Sequence, residues 1–200
     1  QTLFERDFHL PLYYLLLHLW MNIFGNSDIA LKALPLLFGV LTLPVSYFVG
    51  KELSGGKGGL ITACFFSISS GLIYFSQEVR FYSALVLFAT LSALFLIRIK
   101  DNPSKLNCIG LILSNLLIVY TFTIGFIFVF IEMAVFLAYL ISEKKDKKQF
   151  LLSNLVIFIL SIPIFPLLIY FSIKSSKNLF NYFEYYQFNF HFLLNIIKSI

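Results

Sequence analysis

Charged side chains are scarce in this sequence. Only 12% of its 200 residues are Asp, Glu, Lys or Arg, against about 25% in a soluble domain. With 59% of residues hydrophobic, too little polar surface remains to cover a soluble fold. The chain reads as a polytopic membrane protein, nearly all of it in or on a bilayer. Cysteine is almost absent: Cys64 and Cys108 fall in or beside apolar runs, which excludes a disulfide framework and a cysteine metal site. No metal-ligating cluster is visible, and residues 55–59 lack the spacing of a phosphate-binding loop. There is no signal-peptide pattern of basic, apolar and small-residue regions, and no convincing internal repeat. Because the sequence begins on Gln1 and stops at Ile200 within an apolar pattern, it reads as an internal fragment. The net charge of +5 is assigned to cytoplasmic loops and implies no nucleic-acid partner.

What is present is a series of apolar runs separated by short polar turns. Residues 1–9 are polar and include Glu5, Arg6, Asp7 and His9. Residues 10–24 predict a helix with Pro11 at its first turn. That helix is about 20–23 Å long, short of a hydrocarbon core of about 30 Å. Gly25-Asn26-Ser27-Asp28 is a stop followed by a helix start. Spans are predicted at 29–49, 59–75, 82–97, 106–121, 124–141 and 150–172, the last kinked by Pro163 and Pro166. Residues 174–187 form a polar, aromatic loop, and 188–200 start another surface helix. The expected architecture is all-α: a single membrane domain, with 1–28 an outer loop and juxtamembrane helix, 29–173 a transmembrane bundle of about six spans, and 174–200 an outer loop and surface helix.

Topology follows from parity. Basic turns stand at 51–57, 98–105 and 143–148, two spans apart each time, so they share one side. The positive-inside rule makes that side cytoplasmic. Residues 74–82, the turn at Phe122 and the 174–187 loop are then outside. The helix over 10–24 begins and ends outside, as a helix lying on the outer surface does. Glu5, Asp7, His9, Gln77, Glu78, Arg80, Tyr82, Glu184 and His191 all fall on that face. Carboxylates, His and Arg over an apolar bundle suit a substrate with a lipid tail and an anionic head.

The most informative stretch is Tyr74-Phe75-Ser76-Gln77-Glu78-Val79-Arg80-Phe81-Tyr82, a polar knot between two apolar runs. An ion inside a lipid-buried helix costs about 2.5–3.5 kcal/mol, so the knot is placed at a membrane surface. Arg80 is the leading ligand candidate, because a guanidinium offers a planar fork to phosphate oxygens and stays charged. Its bland alternative is an interfacial Arg paired with Glu78 or with lipid headgroups. Glu78 orients Arg80 or binds a substrate hydroxyl, with structural support the preferred role. Gln77 and Tyr82 are hydrogen-bonding groups of the knot, or plain interfacial anchors. Tyr13 and Tyr14 are assigned to an aromatic belt. Glu132 stands deep in a span, where an acid is a functional hypothesis by default. Counting back across the Phe122 turn places Asn115 within about a turn of it, which favours a satisfied buried hydrogen bond.

His9-Leu10-Pro11-Leu12-Tyr13-Tyr14-Leu15-Leu16-Leu17 resembles the HPPLYYLLL helix start of GT-C membrane glycosyltransferases, the protein O-mannosyltransferase and lipid A aminoarabinose transferase superfamily. Phe24-Gly25-Asn26-Ser27, Ala30-Leu31-Lys32-Ala33-Leu34 and Phe38-Gly39-Val40-Leu41-Thr42 continue the pattern. The knot resembles that superfamily's YYSQEARMY segment, and Tyr120-Thr121 with Gly125 resembles a later YTHYFG turn. The match runs from Phe8 to about Leu140, and more loosely beyond. There are departures: Leu10 replaces a Pro, Phe122 replaces the His of the later turn, and Glu132 stands where relatives often carry Gln.

The resemblance implies a GT-C fold and transfer of a sugar from a polyprenyl-phosphate donor to a glycan, lipid or protein acceptor, outside the cytoplasm. It implies no cofactor beyond that donor substrate and places the protein in the plasma membrane. It also implies an acid in the first outer loop as general base, upstream of the HPPLYY-like helix and so upstream of this fragment, which would lack the first span. Asp7 lies in the right loop and is the catalytic candidate within the sequence. His9, Gln77, Glu78, Arg80 and Tyr82 are the substrate-binding candidates, with His9 beside the donor phosphate or shuttling a proton. Two other readings remain: a transporter or flippase of a lipid-linked anion, supported by Glu132 and Pro163/Pro166, and a non-catalytic membrane subunit with the same fold.

Overall fold

The computed structural model describes residues 11–102, 104–122, 124–142, 148–164 and 166. Within these the chain is helical, with no strand. The order is α1 (Pro11–Phe24), α2 (Asp28–Ile68), α3 (Ser70–Gln77), α4 (Tyr82–Asp101), α5 (Lys105–Thr121), α6 (Gly125–Ser142) and α7 (Lys148–Ser161). All seven lie in the first of two compact units, residues 1–162; the second is residues 163–200.

Local chemistry sets the helix boundaries. Gly25 takes φ 84° just after α1. Ser27 caps α2, its Oγ accepting from the Ala30 amide at 3.3 Å, and Asp28 sits in the first turn where the helix dipole favours an acid. Ser104 caps α5 in the same way through the Asn107 amide at 3.3 Å. Trp20 of α1 donates its indole N–H to the Ala30 carbonyl at 2.8 Å, tying α1 to the start of α2.

The 41-residue α2 is two arms. Ser54 and Gly55 leave helical geometry, Gly55 at φ 74°, ψ −172°, a region open to glycine alone. The arms then run back along each other. A methyl group on Gly50 would meet the Gly58 carbonyl oxygen at 2.6 Å, and one on Gly39 would meet Ser76 Cβ at 2.9 Å. The basic, Gly-rich turn expected at 51–57 is therefore a helical hairpin. The second arm bends once more at Ser69 (ψ 113°) before α3, a break that the uniform apolar run over 59–75 does not announce.

By length and composition, three helices can cross a membrane: Asp28–Ile68, Tyr82–Lys100 and Gly125–Ser142. The 17 residues of α5 and 14 of α7 reach about 26 and 21 Å at 1.5 Å per residue. The six expected spans fall on α2 with α3, α4, α5, α6 and α7; among the described residues α2, α4 and α6 are of sufficient length, with α2 folded back on itself. Apolar side chains such as Phe65, Phe130, Val135 and Phe158 face outwards, the pattern of a surface meeting lipid rather than water.

The helices share two opposite ends. At one, Arg98 Nε meets Glu52 Oε1 at 2.8 Å, the Arg98 guanidinium lies 5.9 Å from the Phe48 ring, and Lys100 Nζ lies 5.4 Å from the Tyr139 ring. Asn107 Nδ2 donates to the Asn102 carbonyl at 2.8 Å, while Cys108 and Gln149 approach at 3.7 Å. The basic turns at 51–57 and 98–105 and the start of α7 therefore gather together, as parity requires; residues 143–147 lie outside the described set. Ile99, Leu111, Phe136, Leu140 and Phe150 form the apolar core beneath them.

At the other end, Phe81 stacks on Phe122 with centroids 4.8 Å apart and planes 25° apart. The α3–α4 link thus meets the α5–α6 link, and α1 packs nearby against α2 and α5. One expectation is corrected here: Tyr13 is not an interfacial belt residue. Its side chain is 1% exposed, turned into the helix packing while its neighbour Tyr14 stays half-buried.

Candidate functional site

The polar knot is a non-helical link between two helices, and its shape follows from its residues. α3 ends at Gln77 and Glu78 is extended (φ −91°, ψ 133°). The Arg80 amide then donates back to the Glu78 carbonyl at 2.7 Å, and Phe81 returns to helical geometry to start α4. Three residues thus reverse the chain. Phe81 is the anchor: it is buried and stacked on Phe122. Tyr82 packs 4.5 Å from Phe81 and 4.8 Å from Phe75. An aromatic cluster from α3, α4 and the α5–α6 link holds the base of the turn.

Above that base the polar groups are accessible. Gln77 and Arg80 are exposed, Glu78 and Tyr82 half-buried. The Tyr74 phenol donates to Glu78 Oε1 at 2.5 Å, so α3 itself fixes the Glu78 carboxylate. Arg80 lies within electrostatic range of the same phenol. Glu78 and Arg80, two apart and on different faces of a continuous helix, both stand in the non-helical link, because α3 ends before them at Gln77. The arrangement offers a fixed carboxylate and a guanidinium on a pre-shaped loop, a combination that can receive an anion and hydroxyls together.

Two further polar groups near this end carry no hydrogen-bond partner among the described residues: Tyr13 Oη and Ser83 Oγ. Both side chains are 1% exposed. Burial pushes the Tyr13 phenol well above its ordinary value, so it remains a hydroxyl. Ser83 immediately follows Tyr82 in the first turn of α4. Sequence reasoning places Tyr13 in an aromatic belt, gives Ser83 no role and leaves Tyr74 without one, although its spacing four residues before Glu78 is the helical signal that pairs them.

Of the candidates, the structure brings Gln77, Glu78, Arg80 and Tyr82 into one turn. Asp7 and His9, together with Glu5, Glu184 and His191, lie outside the described residues. Glu132 is elsewhere, in the middle of α6. Ser92 Oγ of α4 lies 2.8 Å from both its carboxyl oxygens and 2.8 Å from Asn115 Oδ1 of α5, and the Asn115 side chain bonds the carboxyl as well. The expected Asn115 partnership is present; Ser92 was not foreseen. No group of three or more His, Cys, Asp or Glu capable of holding a metal occurs among the described residues.

A family model described as dolichyl-phosphate-mannose-protein mannosyltransferase matches residues 9–170. No curated protein matches the chain, and no solved structure does.

Proposed function

Because the chain belongs to the dolichyl-phosphate-mannose-protein mannosyltransferase family, a membrane glycosyltransferase family of the GT-C kind, we propose that it moves a sugar from a polyprenyl-phosphate donor to an acceptor at the extracytoplasmic face. The single observation that carries this is the α3–α4 link: an exposed Arg80 on a short turn, held by Phe81 on Phe122 and by Tyr74 on Glu78. It stands at the end of the helices opposite the basic turns, and the positive-inside rule makes that end extracytoplasmic. In this reading the fold is a GT-C bundle of about six spans.

The reaction is one displacement at the anomeric carbon. A carboxylate takes the proton of the acceptor hydroxyl as the new glycosidic bond forms. The bond to the donor phosphate breaks, and the polyprenyl phosphate leaves with its electron pair. Negative charge grows on the phosphate oxygens as this happens, and a pre-placed guanidinium stabilises that charge without reorganising. Arg80 serves this role, Glu78 with Gln77 receives sugar hydroxyls, and Tyr82 borders the turn. Asp7 is the base candidate within the sequence, and His9 stands two residues on. No cofactor is needed beyond the donor substrate.

The test is transfer itself. The protein is reconstituted in lipid vesicles with a radiolabelled polyprenyl-phosphate hexose and offered glycan, lipid and protein acceptors. Label moving to an acceptor supports the reading. No turnover and no donor binding across several sugars, with label instead carried across the bilayer, would replace it with lipid-linked anion transport.

A further inference from the structure

The polar set in the middle of α4, α5 and α6 takes no part in the transfer described above. Ser92 Oγ faces three acceptor oxygens at 2.8 Å: Asn115 Oδ1, Glu132 Oε1 and Glu132 Oε2. A serine hydroxyl has one proton to give, so it satisfies one of the three. The Asn115 amide supplies another bond to the carboxyl, and both donors are neutral. Ser92 and Asn115 are 0% and 1% exposed, and Glu132 is half-buried in the middle of α6, where the outward-facing side chains are apolar.

Among the described residues, the ionisable groups of α4, α5 and α6 besides Glu132 stand toward the helix ends. On α4 these are Tyr82, Arg98, Lys100 and Asp101; on α5, Lys105, Cys108 and Tyr120; on α6 itself, Tyr139. On α2, packed against α4, they are Asp28, Lys32, Tyr47, Lys51, Glu52, Lys57 and Cys64, and on α3 Tyr74. On α7, packed against α5, it is Lys148, and on α1 they are Tyr13, Tyr14 and His18. Arg98 is held by Glu52 and Lys100 lies over Tyr139, both at the basic end. Among the described residues, no cation acts on the Glu132 carboxyl.

An ionised carboxylate with only neutral partners in apolar surroundings is costly. One added proton resolves the set. Glu132 then donates its O–H to Ser92 Oγ or Asn115 Oδ1, Ser92 donates to the remaining oxygen, and the Asn115 amide keeps its bond to the carboxyl. We infer that Ser92, Asn115 and Glu132 form a proton-binding site within the helix packing, and that the bound proton holds α6 against α4 and α5. Around Glu132, Ile127, Phe130, Ile131 and Val135 turn outwards, while Val129 and Phe136 pack inwards about one turn to either side. The hydrogen bond of Ser92 with Glu132 reaches from α4 to α6. Losing the proton leaves a charge that neither neighbour can neutralise, and α6 loosens.

The test is infrared difference spectroscopy between wild type and Glu132→Gln in lipid nanodiscs. At neutral pH the wild type shows the carbonyl stretch of a protonated carboxyl that the variant lacks, and this converts to a carboxylate stretch as pH is raised. A carboxylate stretch already missing from the variant at neutral pH would overturn the proton site. Should Glu132→Gln fail to fold, wild type alone decides through dicyclohexylcarbodiimide, which attacks protonated carboxyls in apolar sites. An adduct mapped to Glu132 that fades with rising pH supports the inference, and no adduct at neutral pH contradicts it. Hydrogen exchange tests the hold on α6. At matched alkaline pH, α6 amides exchange faster in wild type than in Glu132→Gln, whose amide donates at every pH. Equal exchange in both would remove the latch.

Discussion

Tyr74 donates its phenolic proton to Glu78 Oε1 at 2.5 Å, across the last turn of α3. This bond sets where the carboxylate points as the chain leaves the helix. Glu78 is thus positioned by the residue one turn before it, and the exposed face of the link is left to Arg80. In Tyr74→Phe the carboxylate loses that bond while the ring remains. Transfer should fall roughly 2- to 10-fold, the scale of one modest hydrogen bond, and the loss should appear in KM for the donor if Glu78 touches the sugar. Unchanged kinetics would make the pair a decoration of the surface.

Gly55 closes the α2 hairpin in a backbone region that side chains do not enter. Gly55→Ala should destabilise the protein by about 1–3 kcal/mol, read as a lower melting temperature in detergent. Gly56→Ala is the control: its added methyl meets open space and should leave melting unchanged or raise it slightly. Equal effects at both positions would mean that the arms are not joined by this turn.

Much of this architecture was legible because membrane chains obey few rules strictly. Parity of the basic turns placed 51–57 beside 98–105, and Arg98 on Glu52 shows the meeting. Counting across the Phe122 turn placed Asn115 beside Glu132, and the side chains are bonded. What stayed hidden depends on which way a helix face turns. Apolar runs here are hydrophobic all round, so they carry no stripe that assigns an inner side. Tyr13 was therefore read as a belt residue although it is buried, and Ser92 was not seen as the third partner of Glu132. The bend at Ser69 was equally silent, since serine is tolerated in helices and breaks alike. Within the knot, residue types announced a site, but the Tyr74–Glu78 pairing required knowing that α3 continues to Gln77.

Sidedness is open to direct measurement. Lys57 at the α2 hairpin and Gln77 at the knot are both exposed and belong to opposite ends. In a background with Cys64→Ser and Cys108→Ser, a membrane-impermeant maleimide applied to intact cells should label Gln77→Cys and spare Lys57→Cys until the membrane is opened. The reverse pattern would put the knot in the cytoplasm and remove the basis for extracytoplasmic transfer.

The central claim is that Arg80 receives the donor phosphate, and one comparison addresses it most directly. Transfer from a labelled polyprenyl-phosphate hexose is measured for wild type, Arg80→Ala and Arg80→Lys, with folding checked by melting. The account predicts that Arg80→Ala lowers kcat about 100- to 1,000-fold, the scale of removing one group that stabilises developing charge. Arg80→Lys should recover part of this, because charge returns without the planar fork. An Arg80→Ala protein that melts like wild type and transfers at the wild-type rate would contradict the account and leave the knot a structural turn.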